Sequence, residues 1–435
     1  MAQNANNRLE LARLHHRFGF GPKPGEFEKD LLAPITLAKS RILTNPQSDL
    51  ALSSLADPVL ADLGNRPKAD SPEIVKFGQD LRAQNLQLTL WWLDRMVLAD
   101  NCLAEKMTWF WHGHWATSIK KVNYPLSMYR QNQTLRINAL GNFRKMTKEM
   151  VNDGALQVWL DGPSNTFNAP NENLARELME LFTIGVNNYT EEDVKAASRA
   201  LTGYQVVRST GQVFINQRRR DLNPVTILGT TNTFSGDSLT DLLVDRVECQ
   251  NFIAERIWFR FISSTLPMPK NFAAKAAFAS REISPTIQAA ADSSHLSNPS
   301  YELVKSPVEW FVSVCRALEL IPSQLQPATR TLNYLEKLGQ VPFDPPTVGG
   351  WPAGAAWLTS ATSLHRLEFA NWLIGKSRLA TLRDTPAEQK ITKSLNWLGI
   401  NKWSDRTKVA LTEAINHPPQ FTLSAICSPE YVVNA

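Results

Sequence analysis

Between residues 170 and 203 the sequence spells out two helices and the turn that joins them, and this punctuation constrains the fold more than any other stretch. Pro170 precedes Asn171-Glu172-Asn173, and Leu174, Leu178, Leu181 and Phe182 then recur at the spacing that lays an apolar stripe along one helix face. Gly185 stops that helix. Thr190 follows as an N-cap with Asp193 three residues on, a variant of the capping box that normally uses Glu or Gln. Val194, Ala197 and Leu201 supply the inner face of the second helix, and Gly203 closes it.

The same period runs through most of the chain. It predicts helices over 9–20, ending at the Gly19/Gly21/Pro22 breaker, and over 24–43, with Pro24 in the first turn where its missing N–H costs nothing. Residues 44–72 carry Asn, Pro, Ser and Asp and read as a long loop with one short helical turn. Helices follow over 72–99, 103–115 and 126–152, the last interrupted by Gly141. The period changes at 204–234. Tyr204–Val207 and Gln212–Ile215 alternate around Ser209-Thr210-Gly211, a hairpin signal, and Val225 to Gly229 adds a third short strand. Helices resume over 237–435, broken by a Pro/Gly-rich stretch at 341–354. The expected fold is mostly α: one large multi-helix domain over 1–435 with a small β-hairpin insertion near 204–234. The only candidate boundary is the change near 204–236.

Composition supports a packed interior. Hydrophobic residues make up 43%, with 13 Trp and 19 Phe, and the charged fraction of 20% is too low for disorder. The net charge of +5 is mild, and the longest basic run is Arg218-Arg219-Arg220, so nucleic acid is an unlikely partner. Cys102, Cys249, Cys315 and Cys427 are far apart with no CxxC pair and read as free, buried thiols. No apolar run is long enough for a membrane span. The first twenty residues lack an apolar leader core, which places the chain as written in the cytoplasm, and outside it only if a leader has been removed.

Three groups of residues could carry chemistry. His112 and His114 flank Gly113, and a helix end at that glycine would turn both rings to one side, as a metal ligand pair requires. The alternative is that each fills a polar niche in the aromatic wall of Trp109, Phe110, Trp111 and Trp115. Glu172, Arg176 and Glu180 step by four along one helix face, with Glu177 beside Glu180. Arg176, Glu177 and Glu180 are the catalytic candidates, against a plain ion network in which Arg176 pairs Glu172 and Glu180. Trp351, within Gly349-Gly350-Trp351-Pro352-Ala353-Gly354, is either a ligand platform over a cleft or a structural clamp. Arg130, Arg136 and Arg144 offer an anion site or a solvated basic face.

Familiar signatures are absent. Gly19-x-Gly21-x-x-x-Gly25 follows a helix and misses the dinucleotide fingerprint, and there is no phosphate loop, HExxH, GxSxG, CxxCH or Glu-x-x-His. Two functional readings follow from the residues. One is an enzyme, metal-dependent or acid–base, with a His/Glu site where the 109–115 and 170–203 segments meet and Fe, Mn or Zn as the divalent metal. The other is a scaffold or assembly protein that binds a protein partner.

Taken together, three segments resemble one bacterial family. They are Arg17-Phe18-Gly19-Phe20-Gly21-Pro22; Phe110-Trp111-His112-Gly113-His114 with the whole 170–203 stretch; and Val348-Gly349-Gly350-Trp351-Pro352-Ala353-Gly354 with Trp357-Leu358 and Arg366 to Ala370. The ending Ser428-Pro429-Glu430-Tyr431 is similar to the family's as well. The family is known as domain of unknown function 1800. The resemblance implies a helical fold over essentially the whole chain but no established reaction. It also implies an exported protein encoded beside a sulfatase-like partner, whereas this chain shows no leader. Members carry a His-Asp pair where this sequence has Arg220-Asp221, so any site served by that histidine is altered here.

Overall fold

In the computed structural model, which describes residues 2–44 and 49–434, the three-and-four spacing of apolar residues becomes helix along most of the chain. Twenty-three α-helices occur among the described residues, and every sheet is a two-stranded ribbon. The protein is mostly α, as its periodicity predicts. The turn at 184–190 forms as read: Thr190 and Asp193 close a reciprocal capping box ahead of the Glu191–Ala200 helix.

Three details differ from the sequence reading. The helix expected over 24–43 is two helices, Glu26–Leu32 and Ile35–Leu43, because Pro34 has no N–H to donate and holds Ala33 extended. Residues 45–48 of the expected loop lie outside the described residues; beyond them a single 3-10 turn forms at Leu50–Leu52. The strand Val225–Ile227 does not extend the first hairpin, in which Tyr204–Val207 pairs with Gln212–Ile215. It folds back on Thr230–Asn232 as a second hairpin. A third ribbon, Leu303–Val304 against Val433–Asn434, joins residues with no local signal between them.

Two buried apolar clusters form the interior. One gathers Leu11, Leu14 and Phe18 with Phe110, Trp111, Trp115, the 174–201 stripe and residues up to Leu296. The other gathers 88–97 with Trp109 and residues from Val308 to Val432. The Leu103–His114 helix lies between them, with Trp109 on one side and Phe110 and Trp111 on the other. That is why it is aromatic all round. Arg316, in the Pro307–Leu318 helix, ties that helix to the N-terminal part of the chain, donating to the carbonyls of Gly21, Val97 and Ala99 at 2.7–2.8 Å. The Arg17–Pro22 motif is thus held by backbone contacts. Cys102, Cys249 and Cys315 are buried free thiols, and Cys427 is free and partly exposed. No helix among the described residues is long and apolar enough to cross a membrane.

One buried carboxyl makes stability depend on pH. Asp153 caps the Gly154–Trp159 helix, accepting from the Leu156 N–H at 2.8 Å and the Gln131 amide at 2.7 Å. Burial pushes its carboxyl from 3.8 up to about 6. The folded state therefore holds this proton more tightly than the unfolded chain. The resulting stabilisation is complete below 3.8 and is lost as pH rises through about 6, amounting to roughly 2–3 kcal/mol. Asp153→Asn keeps the cap but cannot titrate. In urea denaturation the difference between wild type and Asp153→Asn should change between pH 4 and pH 7; a pH-independent difference refutes the assignment.

Candidate functional site

The Leu103–His114 helix does not end at Gly113; the Trp115 N–H still reaches the Trp111 carbonyl at 2.8 Å. Residues two apart on a continuing helix point about 200° apart, so the two imidazoles diverge. His112 packs among Trp92, Phe343 and Trp351, and its Nε2 accepts the Phe343 N–H at 3.1 Å. His114 packs among Trp111, Trp115 and Phe182, and its Nε2–H donates to the Phe182 carbonyl at 3.0 Å. Burial lowers both to about 3, so both rings are neutral at neutral pH. The inward-facing pair expected at a helix end is not formed, and no group of three or more His, Cys, Asp or Glu is gathered for a metal among the described residues.

The His114–Phe182 bond does join the 109–115 and 170–203 segments. Its acceptor lies in a π-helical turn, Leu178–Thr183, that continues the Asn173–Glu177 helix. The carbonyls of a helix's last turn lack partners within the helix, and His114 supplies one. The charged residues of this segment lie elsewhere. Arg176 pairs with Glu172 at 3.0 Å and with Glu191 at 2.7 Å, so the network runs to the following helix and not to Glu180. Glu180 accepts from the Tyr189 hydroxyl. Glu177 is half-buried, and burial and the nearby Glu180 charge raise its carboxyl above the ordinary range.

Trp351 stands at a cleft. Its indole stacks on Trp109 with ring centroids 5.2 Å apart and planes 28° from parallel. The turn that carries it lies backbone to backbone on the helix, since a Cβ at Gly350 would sit 2.5 Å from the Gly113 carbonyl. Gly113 itself has nothing within 4 Å of where its Cβ would be, and its bare face opens into the cleft. Phe110, Phe259 and Trp357 complete the aromatic wall around a narrow cavity of about 40 Å³. The sequence between the two histidines thus serves the cleft, while the imidazoles point away into the two cores.

The cleft's polar groups come from three helices and from Gln340, which lies beyond the Thr329–Lys337 helix. Lys106 pairs with Glu309 at the start of the Pro307–Leu318 helix, and Glu309 also accepts the Ser306 N–H at 3.0 Å. Gln340 accepts the Val308 N–H at 2.9 Å. Arg260, in the last turn of the Val247–Phe261 helix, donates to the Trp351 carbonyl at 3.3 Å and lies beside the Phe259 ring. It makes no salt bridge among the described residues; burial lowers its pKa, and the nearby Glu309 charge partly offsets this. Lys106, Arg260, Glu309 and Gln340 escape sequence reasoning because they lie up to 234 positions apart (340 − 106). The one local signal is a lone cation inside an aromatic run, as in Ile257-Trp258-Phe259-Arg260-Phe261.

The other basic residues are engaged. Arg136 pairs with Glu105 at 2.8 Å, Arg144 with Asp241 at 3.0 Å, and Arg130 donates to the Thr210 carbonyl at 2.6 Å, so they do not form a shared anion face. Arg220 lines a separate cleft with Tyr204 and Asp237, and the adjoining Asp221 pairs with Arg199. No curated protein and no solved structure matches the chain. The model of one family, described as protein of unknown function (DUF1800), matches residues 13–433, nearly the entire length, and the chain belongs to that family.

Proposed function

We propose that this protein binds a small organic ligand in the cleft walled by Trp109, Trp351 and Trp357. The stacked Trp351 carries this reading: a Gly-rich turn sets its ring against the Leu103–His114 helix at the mouth of a cavity that Gly113 leaves open. Aromatic walls with a few convergent polar groups are the usual make-up of ligand sites. The test is to plug the cleft. Gly113 lies in a helix with open space at its Cβ, so Gly113→Leu directs its side chain into the cleft and removes a helix glycine worth roughly 0.5–1 kcal/mol. Compounds that bind wild type in a ligand-observed NMR screen should bind Gly113→Leu at least tenfold more weakly while its Tm holds. Equal binding to both proteins sinks the reading.

A second reading, acid–base chemistry by Glu177 with Glu180 and Arg176 as neighbours, is favoured by the raised Glu177 carboxyl. A carboxyl raised by burial and a neighbouring charge is a common acid–base arrangement. Its direct test is a carboxyl NMR titration: Glu177 should titrate above its ordinary value of 4.5 and return toward it in Glu180→Gln. An unshifted Glu177 removes the reading.

A further inference from the structure

We infer that the ligand of this cleft is a small organic carboxylate whose carboxylate seats on the Arg260 guanidinium. The inference rests on the cleft being the ligand site and adds the chemical class. Three cations, Lys106, Arg260 and Lys305, surround one carboxylate, Glu309. Lys106 and the Ser306 N–H already occupy Glu309. Lys305 is turned away from the cleft, donating to the Tyr431 carbonyl at 2.6 Å and resting 3.6 Å from the centre of the Tyr431 ring. Arg260 has only the long bond to the Trp351 carbonyl and the flanking ring.

Arg260 is half-buried, and the Glu309 charge lies near it without a salt bridge among the described residues; the remaining donors of its guanidinium form a planar fork that fits a carboxylate through two parallel bonds. The cavity's walls are mostly aromatic, so an anion that carries an apolar chain fits it better than a bare inorganic one, with its charged end at Arg260.

The experiment compares butyrate and benzoate with butyramide and benzamide at constant ionic strength, with inorganic phosphate as a further arm. Binding is read by saturation-transfer NMR and by Tm on wild type, Arg260→Gln, Arg260→Lys and Gly113→Leu. The carboxylates should bind wild type at least tenfold more tightly than the amides. Arg260→Gln should abolish that preference with little change in Tm, because Arg260 makes no salt bridge among the described residues, and Arg260→Lys should restore part of it. Amides that bind as well as carboxylates and are excluded by Gly113→Leu overturn the carboxylate assignment but leave the cleft standing. Carboxylate binding that Gly113→Leu does not weaken overturns the cleft itself. Absence of carboxylate binding, phosphate binding more tightly than either carboxylate, or a large fall in Tm on Arg260→Gln also refutes the assignment.

Discussion

Replacing Glu105 with Gln is expected to lower the unfolding free energy by about 3–5 kcal/mol, the usual cost of removing one partner from a buried ion pair. Glu105 is 1% exposed on the Leu103–His114 helix. Its carboxylate accepts from Arg95 Nε at 2.8 Å, from Arg136 Nε at 2.8 Å and Nη2 at 2.9 Å, and from the Trp92 indole at 3.0 Å. Both guanidiniums also flank the Trp91 ring, so a single carboxylate organises two cations and two indoles. Gln keeps the shape but leaves both arginines without a counter-charge. Burial alone would raise this carboxyl, but the charges and hydrogen bonds of Arg136 and Arg95 outweigh it and hold the pKa at about 2. Because the folded value lies below the ordinary 4.5, the stabilisation is present above 4.5 and drains away as pH falls toward 2. Guanidinium denaturation at neutral pH should show the full loss, and the gap between wild type and Glu105→Gln should shrink in acid. A loss below about 1 kcal/mol at neutral pH means that the triad does not hold the helix in place.

Glu105 also marks the limit of what the sequence discloses. Periodicity and capping rules located helices because those signals are local: Thr190, Asp193 and Gly185 act within a few residues of one another. The break before Ile35 was equally local, since Pro34 forbids a continuous helix, yet the apolar spacing across it masked the effect. The contacts of the site were not local. Nothing near residue 105 indicates that Arg136 lies opposite, and nothing near residue 113 indicates that residue 350 rests on it. Gly113 was read as a helix stop. The helix runs on because its flanks are buried in two apolar clusters, and tertiary packing outweighs the glycine's modest helix penalty. With the helix intact, His112 and His114 diverge, and the glycine between them borders the cleft. Trp351 was legible as an aromatic on a rigid turn; its Arg260 neighbour required the fold.

Three contacts to main-chain groups involve the segments that carry the family resemblance. Arg316 holds the Gly21 carbonyl, His114 holds the Phe182 carbonyl, and Gly350 rests on the Gly113 carbonyl. Each contact satisfies or packs against a main-chain group near a helix end, where unpaired carbonyls concentrate. The His114 and Gly350 contacts thus fix the neighbours of the helix that borders the cleft.

That placement makes Gly350→Ala the most direct perturbation of the site. Gly350 has φ +83, a left-handed conformation that costs an L-residue about 1 kcal/mol or more. Its new Cβ would also lie 2.5 Å from the Gly113 carbonyl oxygen and 3.8 Å from the Ala116 Cβ. The obstructing oxygen belongs to a backbone buried between two cores and cannot swing aside, so the turn must lift. We expect a loss of about 2–4 kcal/mol from strain and lost packing. We also expect the Trp109–Trp351 stack to separate, reported by near-UV circular dichroism and by greater acrylamide quenching of tryptophan fluorescence. Gly349→Ala is the matched control, because its nearest neighbour is Thr347 Oγ1 at 3.6 Å and its φ is not left-handed. If Gly350→Ala matches Gly349→Ala in stability and in near-UV signal, the turn is not seated on the helix, and the wall assigned to Trp351 is lost with it. If only Gly350→Ala is impaired, and ligand binding falls with it while Gly113→Leu keeps its full Tm, the backbone contact and the open face beside it have separable roles: one positions the indole, and the other leaves room for the ligand.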